Sequence, residues 1–159
     1  MKKVTCLFCI LFLLASCKVN QYTGKKTFNF YGNKTVFPMA FKEYSAFLEQ
    51  NEVIENTRES DQIKRVGEKI TAAAEAYFQH KGNLSVLKDY AWEYNLVKND
   101  QRNAWCMPGG KIVFYTGILP TAKTEAGIAA IMGHEVAHAL ADHGAQRMSA
   151  KRAKVGMDF

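Results

Sequence analysis

Cysteine is scarce in this chain. There are four in 159 residues: Cys6 and Cys9 fall in the first ten, Cys17 follows directly on the apolar leader, and Cys106 stands alone beyond it. A disulfide framework is therefore excluded for the body of the chain. A lone cysteine among apolar neighbours such as Cys106 reads as a small buried hydrophobe rather than a reactive thiol or a soft metal ligand. Long apolar runs are missing too, the best being residues 4–15, which is too short to span a bilayer as a helix. Repeats and low-complexity tracts are absent. The net charge is +6, yet the basic residues are dispersed apart from Arg147, Lys151, Arg152 and Lys154. No basic stripe interleaved with aromatics and no nucleic-acid motif accompanies them, so nucleic acid is not an expected partner. A solvated helix end near an anionic membrane accounts for that cluster.

With 48% apolar and 23% charged residues the chain has the makings of one modest globular domain. Lys2, Lys3 and the apolar run after them read as a signal peptide over residues 1–16. Its end, Leu14-Ala15-Ser16-Cys17, resembles a bacterial lipobox, which implies acylation of Cys17 and attachment to a membrane surface. Residues 17–36 read as a tether and irregular segment, and residues 37–159 as the folded domain. The expected location is a bacterial cell envelope, lipid-anchored, on the outer membrane facing the periplasm.

Within the domain, residues 38–50 predict a short helix opened by Pro38, and residues 60–79 a second one capped by Ser60 or Asp61. Residues 91–97 alternate as a strand does, and residues 103–106 and 111–115 look like two more, joined through Met107-Pro108-Gly109-Gly110. Thr121 or Thr124 then opens a long helix predicted to run to about Met148. That helix is rich in small residues, among them Gly127, Gly133 and Gly144, which suggests close packing by its neighbours.

On it lies His134-Glu135-Val136-Ala137-His138, an H-E-x-x-H pattern. Four residues at about 100° each place the two imidazoles roughly 40° apart and about 6 Å along the axis, so both rings can grip one ion. Glu135, offset by about 100°, is placed to take a proton from a metal-bound water. Three of the four histidines, His134, His138 and His143, fall within ten residues. On a continuous helix His143 sits about 180° from His134 and faces away, unless the helix breaks at Gly144.

The stretch Asn103-Ala104-Trp105-Cys106-Met107-Pro108-Gly109-Gly110-Lys111-Ile112-Val113-Phe114-Tyr115-Thr116-Gly117, with Glu125-Ala126-Gly127 and residues 133–144, closely resembles peptidase family M48. These are zinc metalloendopeptidases that include the HtpX and CAAX-prenyl-protease relatives, and the likeness looks closest to small bacterial lipoproteins of that family. The resemblance implies an α+β, zincin-like fold of the gluzincin type, mostly helical, with a small mixed sheet and a central H-E-x-x-H helix. It implies one Zn2+ per chain on His134 and His138, Glu135 as catalytic base, and a polypeptide substrate. It also implies that Gly109, Gly110, Lys111, Ile112 and Val113 form an edge that pairs with an extended substrate. The family takes a third zinc ligand from a glutamate on a later helix, and no glutamate follows His143 here. The expectation is therefore a domain that lacks the later helices, with a truncated or non-catalytic polypeptide-binding relative as the alternative.

Overall fold

The computed structural model describes residues 17–28 and 31–155. The expected signal peptide, residues 1–16, lies outside them. In chain order the strands are β1 (Cys17–Val19), β2 (Lys26–Phe28), β3 (Val53–Ile54), β4 (Glu93–Val97), β5 (Ala104–Met107) and β6 (Lys111–Tyr115). The helices are α1 (Asn33–Glu49), α2 (Arg58–His80), α3 (Leu119–Ala122), α4 (Glu125–Leu140) and α5 (His143–Val155), with short 3-10 turns at Leu84–Leu87 and Thr116–Ile118.

The last four side chains of β6, Ile112 to Tyr115, are all buried. A strand apolar on both sides needs cover on both faces, and the fold is arranged to supply it. Ile112 and Phe114 pack with Ile63, Val66, Phe78, Ile128, Met132 and Val136, so α2 and α4 cover one face. Val113 and Tyr115 pack with Tyr44, Phe47 and Leu48 of α1 on the other. Each fully buried side chain of this kind contributes about 1.5–3 kcal/mol relative to an exposed one. Strand neighbours complete the enclosure: β4 runs parallel to β6 and β5 antiparallel, in the order β3-β4-β6-β5. The expected mixed sheet and α+β class are thus present.

Helix starts follow local capping chemistry. Thr57 and Ser60 form a reciprocal capping box for α2, Thr57 Oγ1 accepting from Ser60 N at 3.1 Å and Ser60 Oγ from Thr57 N at 3.0 Å. The cap therefore falls a turn earlier than the Ser60 or Asp61 expected. Thr124, one of the two caps expected for the metal helix, accepts from Gly127 N at 3.1 Å. α1 begins at Asn33, upstream of Pro38, because Val36, Phe37, Ala40 and Tyr44 bury the turns on either side of the missing N–H.

Two expectations fail against tertiary structure. The helix predicted to continue to Met148 ends at Leu140, Asp142 turns the chain with φ of 58°, and α5 starts at His143. Residues 17–28, read as tether, form the antiparallel β1–β2 hairpin, with Cys17 opposite Phe28. One residue links the two outcomes. Asn20 is buried, and its Nδ2 donates to Leu140 O and to Asp142 Oδ2, both at 2.9 Å. Its Oδ1 accepts from Tyr22 N at 3.0 Å and Thr23 N at 2.8 Å. A partner 120 residues away leaves no local trace in the sequence.

The close-packing inference holds at Gly127, where an added Cβ would strike the Ala122 carbonyl, and at Gly144, where it would meet Pro108, but Gly133 has open space beside it. Gly110 is constrained twice, by φ of 92° and by the Trp92 ring against its α-carbon. Gly110→Ala is expected to cost more than about 2 kcal/mol of stability. Thr57→Ala is expected to cost about 1 kcal/mol, both read from urea denaturation midpoints.

Candidate metal centre

The rotation of α4 about its own axis is set by its apolar ridge. Ile128, Met132, Val136 and Leu140, spaced by four, are buried against the sheet and α2. His134 and His138 belong to another ridge and emerge on the open side, with Nε2 of each 3.0 Å from the other. Two nitrogens bound tetrahedrally to one zinc ion at about 2.0–2.1 Å lie about 3.3 Å apart. The pair fits that requirement. Both rings line a groove of about 420 Å³ whose opposite wall is the β1–β2 hairpin with Tyr22, Lys25 and Lys26.

Glu135 sits a step round the helix, half-buried. Burial raises its carboxyl above the ordinary glutamate range, while the charges of His134, His138 and Arg147 oppose the rise. Cys106 of β5 lies near it: burial drives the thiol far above its normal value and the Glu135 charge adds to the effect. Glu135 thus lies within electrostatic reach of both histidines and of Cys106 on β5.

His143 was expected to face away. The break after Leu140 instead brings its Nδ1 to 2.6 Å from His138 Nδ1. Burial pushes its imidazole below the usual histidine range, with the His138 and Arg147 charges acting in the same direction. This contact is on the ring nitrogen of His138 opposite to the one facing His134, so His143 does not join the pair as a third ligand. Among the described residues no three His, Cys, Asp or Glu side chains gather so as to hold a metal.

The substrate strand needs correction. β6 is interior, hydrogen-bonded to β4 on one side and β5 on the other, so Lys111, Ile112 and Val113 offer no free edge. Ile112 and Val113 are wholly enclosed. Lys111 Nζ bonds Glu93 Oε2 at 2.9 Å and lies 4.9 Å from the centre of the Phe41 ring. Gly109 and Gly110 make the turn, packed under Phe41 and Trp92. The free edge near the histidines is β5. Tyr115 N bonds Asn103 O at 3.1 Å, and antiparallel alternation then directs the backbone groups of Ala104 and Cys106 away from β6. Sequence reading saw both strands but could not order them. No sequence signal orders them, since Ala104-Trp105-Cys106-Met107 is as apolar as Ile112-Val113-Phe114-Tyr115, and their burial differs only once the strands are assembled.

With its thiol buried and its pKa raised, Cys106 should resist alkylation by iodoacetamide in the native protein and react readily once unfolded. Rapid labelling of the folded chain at neutral pH would contradict this placement.

The site and its surroundings match known proteins. A model described as peptidase family M48 matches residues 57–156, from the cap of α2 to the end of α5. The mitochondrial metalloendopeptidase OMA1 of Schizosaccharomyces pombe is 40% identical over 70 residues, 44% of this chain and 21% of that protein. Its namesake in Saccharomyces cerevisiae is 36% identical over 92 residues, 57% of this chain and 26% of that protein. The bovine protein is 22% identical over 140 residues, covering 88% of this chain and 26% of its own length. The chain thus spans about a quarter or less of the curated relatives it matches. Six such relatives all carry mitochondrial names. That overturns the expected bacterial outer-membrane location. The expectation rested on the leader through Cys17 and on the likeness to small bacterial lipoproteins, and a short charged and apolar leader does not by itself specify which membrane system reads it. From the matched span, the relatives and the geometry of α4 together, the chain belongs to peptidase family M48.

Proposed function

We propose that this chain supplies the catalytic helix of a zinc-dependent endopeptidase, with one Zn2+ held by His134 and His138 and with Glu135 as general base. The observation that carries the reading is the 3.0 Å approach of the two Nε2 atoms beside a half-buried carboxyl, at the free edge of a sheet. A bound zinc would supply a Lewis acid for the scissile carbonyl and lower the pKa of water. Glu135 takes a proton from the attacking water and returns it to the leaving amine. Burial favours the first step, since a carboxylate whose pKa is raised is the stronger base toward the attacking water.

The substrate is an extended polypeptide segment that adds to β5. The outward backbone groups of Ala104 and Cys106 give it main-chain hydrogen bonds that demand little of its sequence. Such binding needs a stretch of chain free of its own secondary structure, which suits a locally unfolded substrate. Glu135, close to Cys106, stands where the scissile bond of that segment would pass.

Glu135→Gln is expected to leave zinc content unchanged and to lower casein cleavage by about 100-fold or more, whereas His138→Ala is expected to lose the metal. Undiminished cleavage by Glu135→Gln would overturn the reading. Zinc-loaded protein that binds peptide and never cleaves it would show a peptide-binding relative instead. For the strand, a substrate peptide N-methylated at single positions should lose binding at alternate residues, and indifference to methylation would remove β5 as the docking edge.

A further inference from the structure

His138 is engaged at both of its ring nitrogens. Nε2 faces His134 Nε2 at 3.0 Å, and Nδ1 lies 2.6 Å from Nδ1 of His143. A neutral imidazole has one nitrogen that donates and one that accepts. For His138 to present a lone pair at Nε2 its proton must be on Nδ1, and the hydrogen bond made by that proton decides which tautomer prevails. We propose that His143 is a positioning residue for the metal. Its Nδ1 accepts from His138 Nδ1–H, and this fixes the tautomer and ring orientation in which His138 Nε2 is the ligand. The inference rests on the reading of His134 and His138 as metal ligands.

The backbone is built to hold His143 in that role. Asp142 turns the chain in the left-handed region at φ of 58°, a conformation aspartate adopts more readily than most residues and one that its neighbours reinforce here. Support comes from several directions. Asn20 Nδ2 bridges Leu140 O and Asp142 Oδ2, Gln146 Nε2 donates to Ala141 O at 2.7 Å, and Gln146 N donates to Asp142 O at 3.0 Å. Ala145, two residues into α5, is buried against Val36 and Phe37 of α1. The turn is thus pinned by the hairpin on one side and by α1 on the other. A histidine at the first position of α5 then lands on the nitrogen of His138 that the metal does not use. On a continuous helix the same residue would point to the far side.

Zinc affinity of the full chain, measured by competition with a chelator, is compared with the tautomer of His138 read by nitrogen NMR of isotope-labelled histidine. Wild-type protein without added metal is expected to hold His138 mainly as the Nδ1–H tautomer; a mainly Nε2–H ring overturns the proposal whatever the variants do. His143→Leu is expected to weaken zinc binding by about 10- to 100-fold and to release the tautomer preference. His143→Asn, whose amide oxygen accepts a hydrogen bond, should recover most of both. His134→Ala tests the underlying reading and should abolish tight binding. If it binds zinc as the wild type does, the ligand assignment falls and the role of His143 with it. If it loses zinc while folded His143→Leu keeps full affinity and an Nδ1–H His138, the positioning role alone is overturned.

Discussion

Everything at the candidate site depends on how α4 is clamped. Its ridge of Ile128, Met132, Val136 and Leu140 is committed to the core shared by α2 and the sheet. Residues two positions on from each ridge member lie about 200° round the axis, which is where His134 and His138 stand. Burial of four apolar side chains therefore sets the direction of the two imidazoles more firmly than any contact they make themselves. Burying the histidines would take a rotation of about half a turn, which would desolvate polar nitrogens without partners and expose the ridge. The hydrophobic core and the histidine pair are two consequences of one rotational constraint.

The carboxyl end of α4 is held with equal care. The last carbonyls of a helix lack internal donors, and here three separate elements serve them. Tyr90 Oη donates to Ala139 O, Asn20 Nδ2 to Leu140 O, and Gln146 Nε2 to Ala141 O. Each donor comes from a different part of the chain, so the turn into α5 is a junction where the hairpin, the loop before β4 and α5 itself meet. The groove beside the histidines exists because this junction keeps the hairpin standing against the helix.

Local chemistry was legible in the sequence wherever it is local in the structure. The spacing of His134 and His138, the Thr124 cap and the strands around the Gly109-Gly110 turn all follow from neighbours a few residues apart. The misses share a different cause. The helix break at Asp142 and the β1–β2 hairpin depend on Asn20, whose partners are 120 and 122 residues distant. No periodicity or propensity records such a bond, and the small residues from Gly133 to Ala145 favour a continuing helix as readily as a broken one. His143 was misplaced for that reason alone: the arithmetic of a helical turn was sound, but the helix had already ended.

The misplacement of the substrate edge has a separate logic, and it bears on how the site reads a substrate. The family resemblance implies that Gly109 and Gly110 lead an edge that pairs with substrate, and glycine does permit close approach of a backbone. Here the space beside them is already filled, by Phe41 at one and Trp92 at the other. Their small size serves the protein's own aromatics. With β6 enclosed, the docking edge we propose is β5, and that strand is short, with its alternate backbone groups outward only at Ala104 and Cys106. So brief an edge gives few main-chain hydrogen bonds, each worth about 0.5–1.5 kcal/mol. Binding on that edge is therefore weak unless the far wall of the groove, the hairpin with Tyr22, Lys25 and Lys26, adds contacts to the same segment. The hairpin held by Asn20 then both orders the turn into α5 and bounds the groove beside His134 along which the proposed substrate would lie.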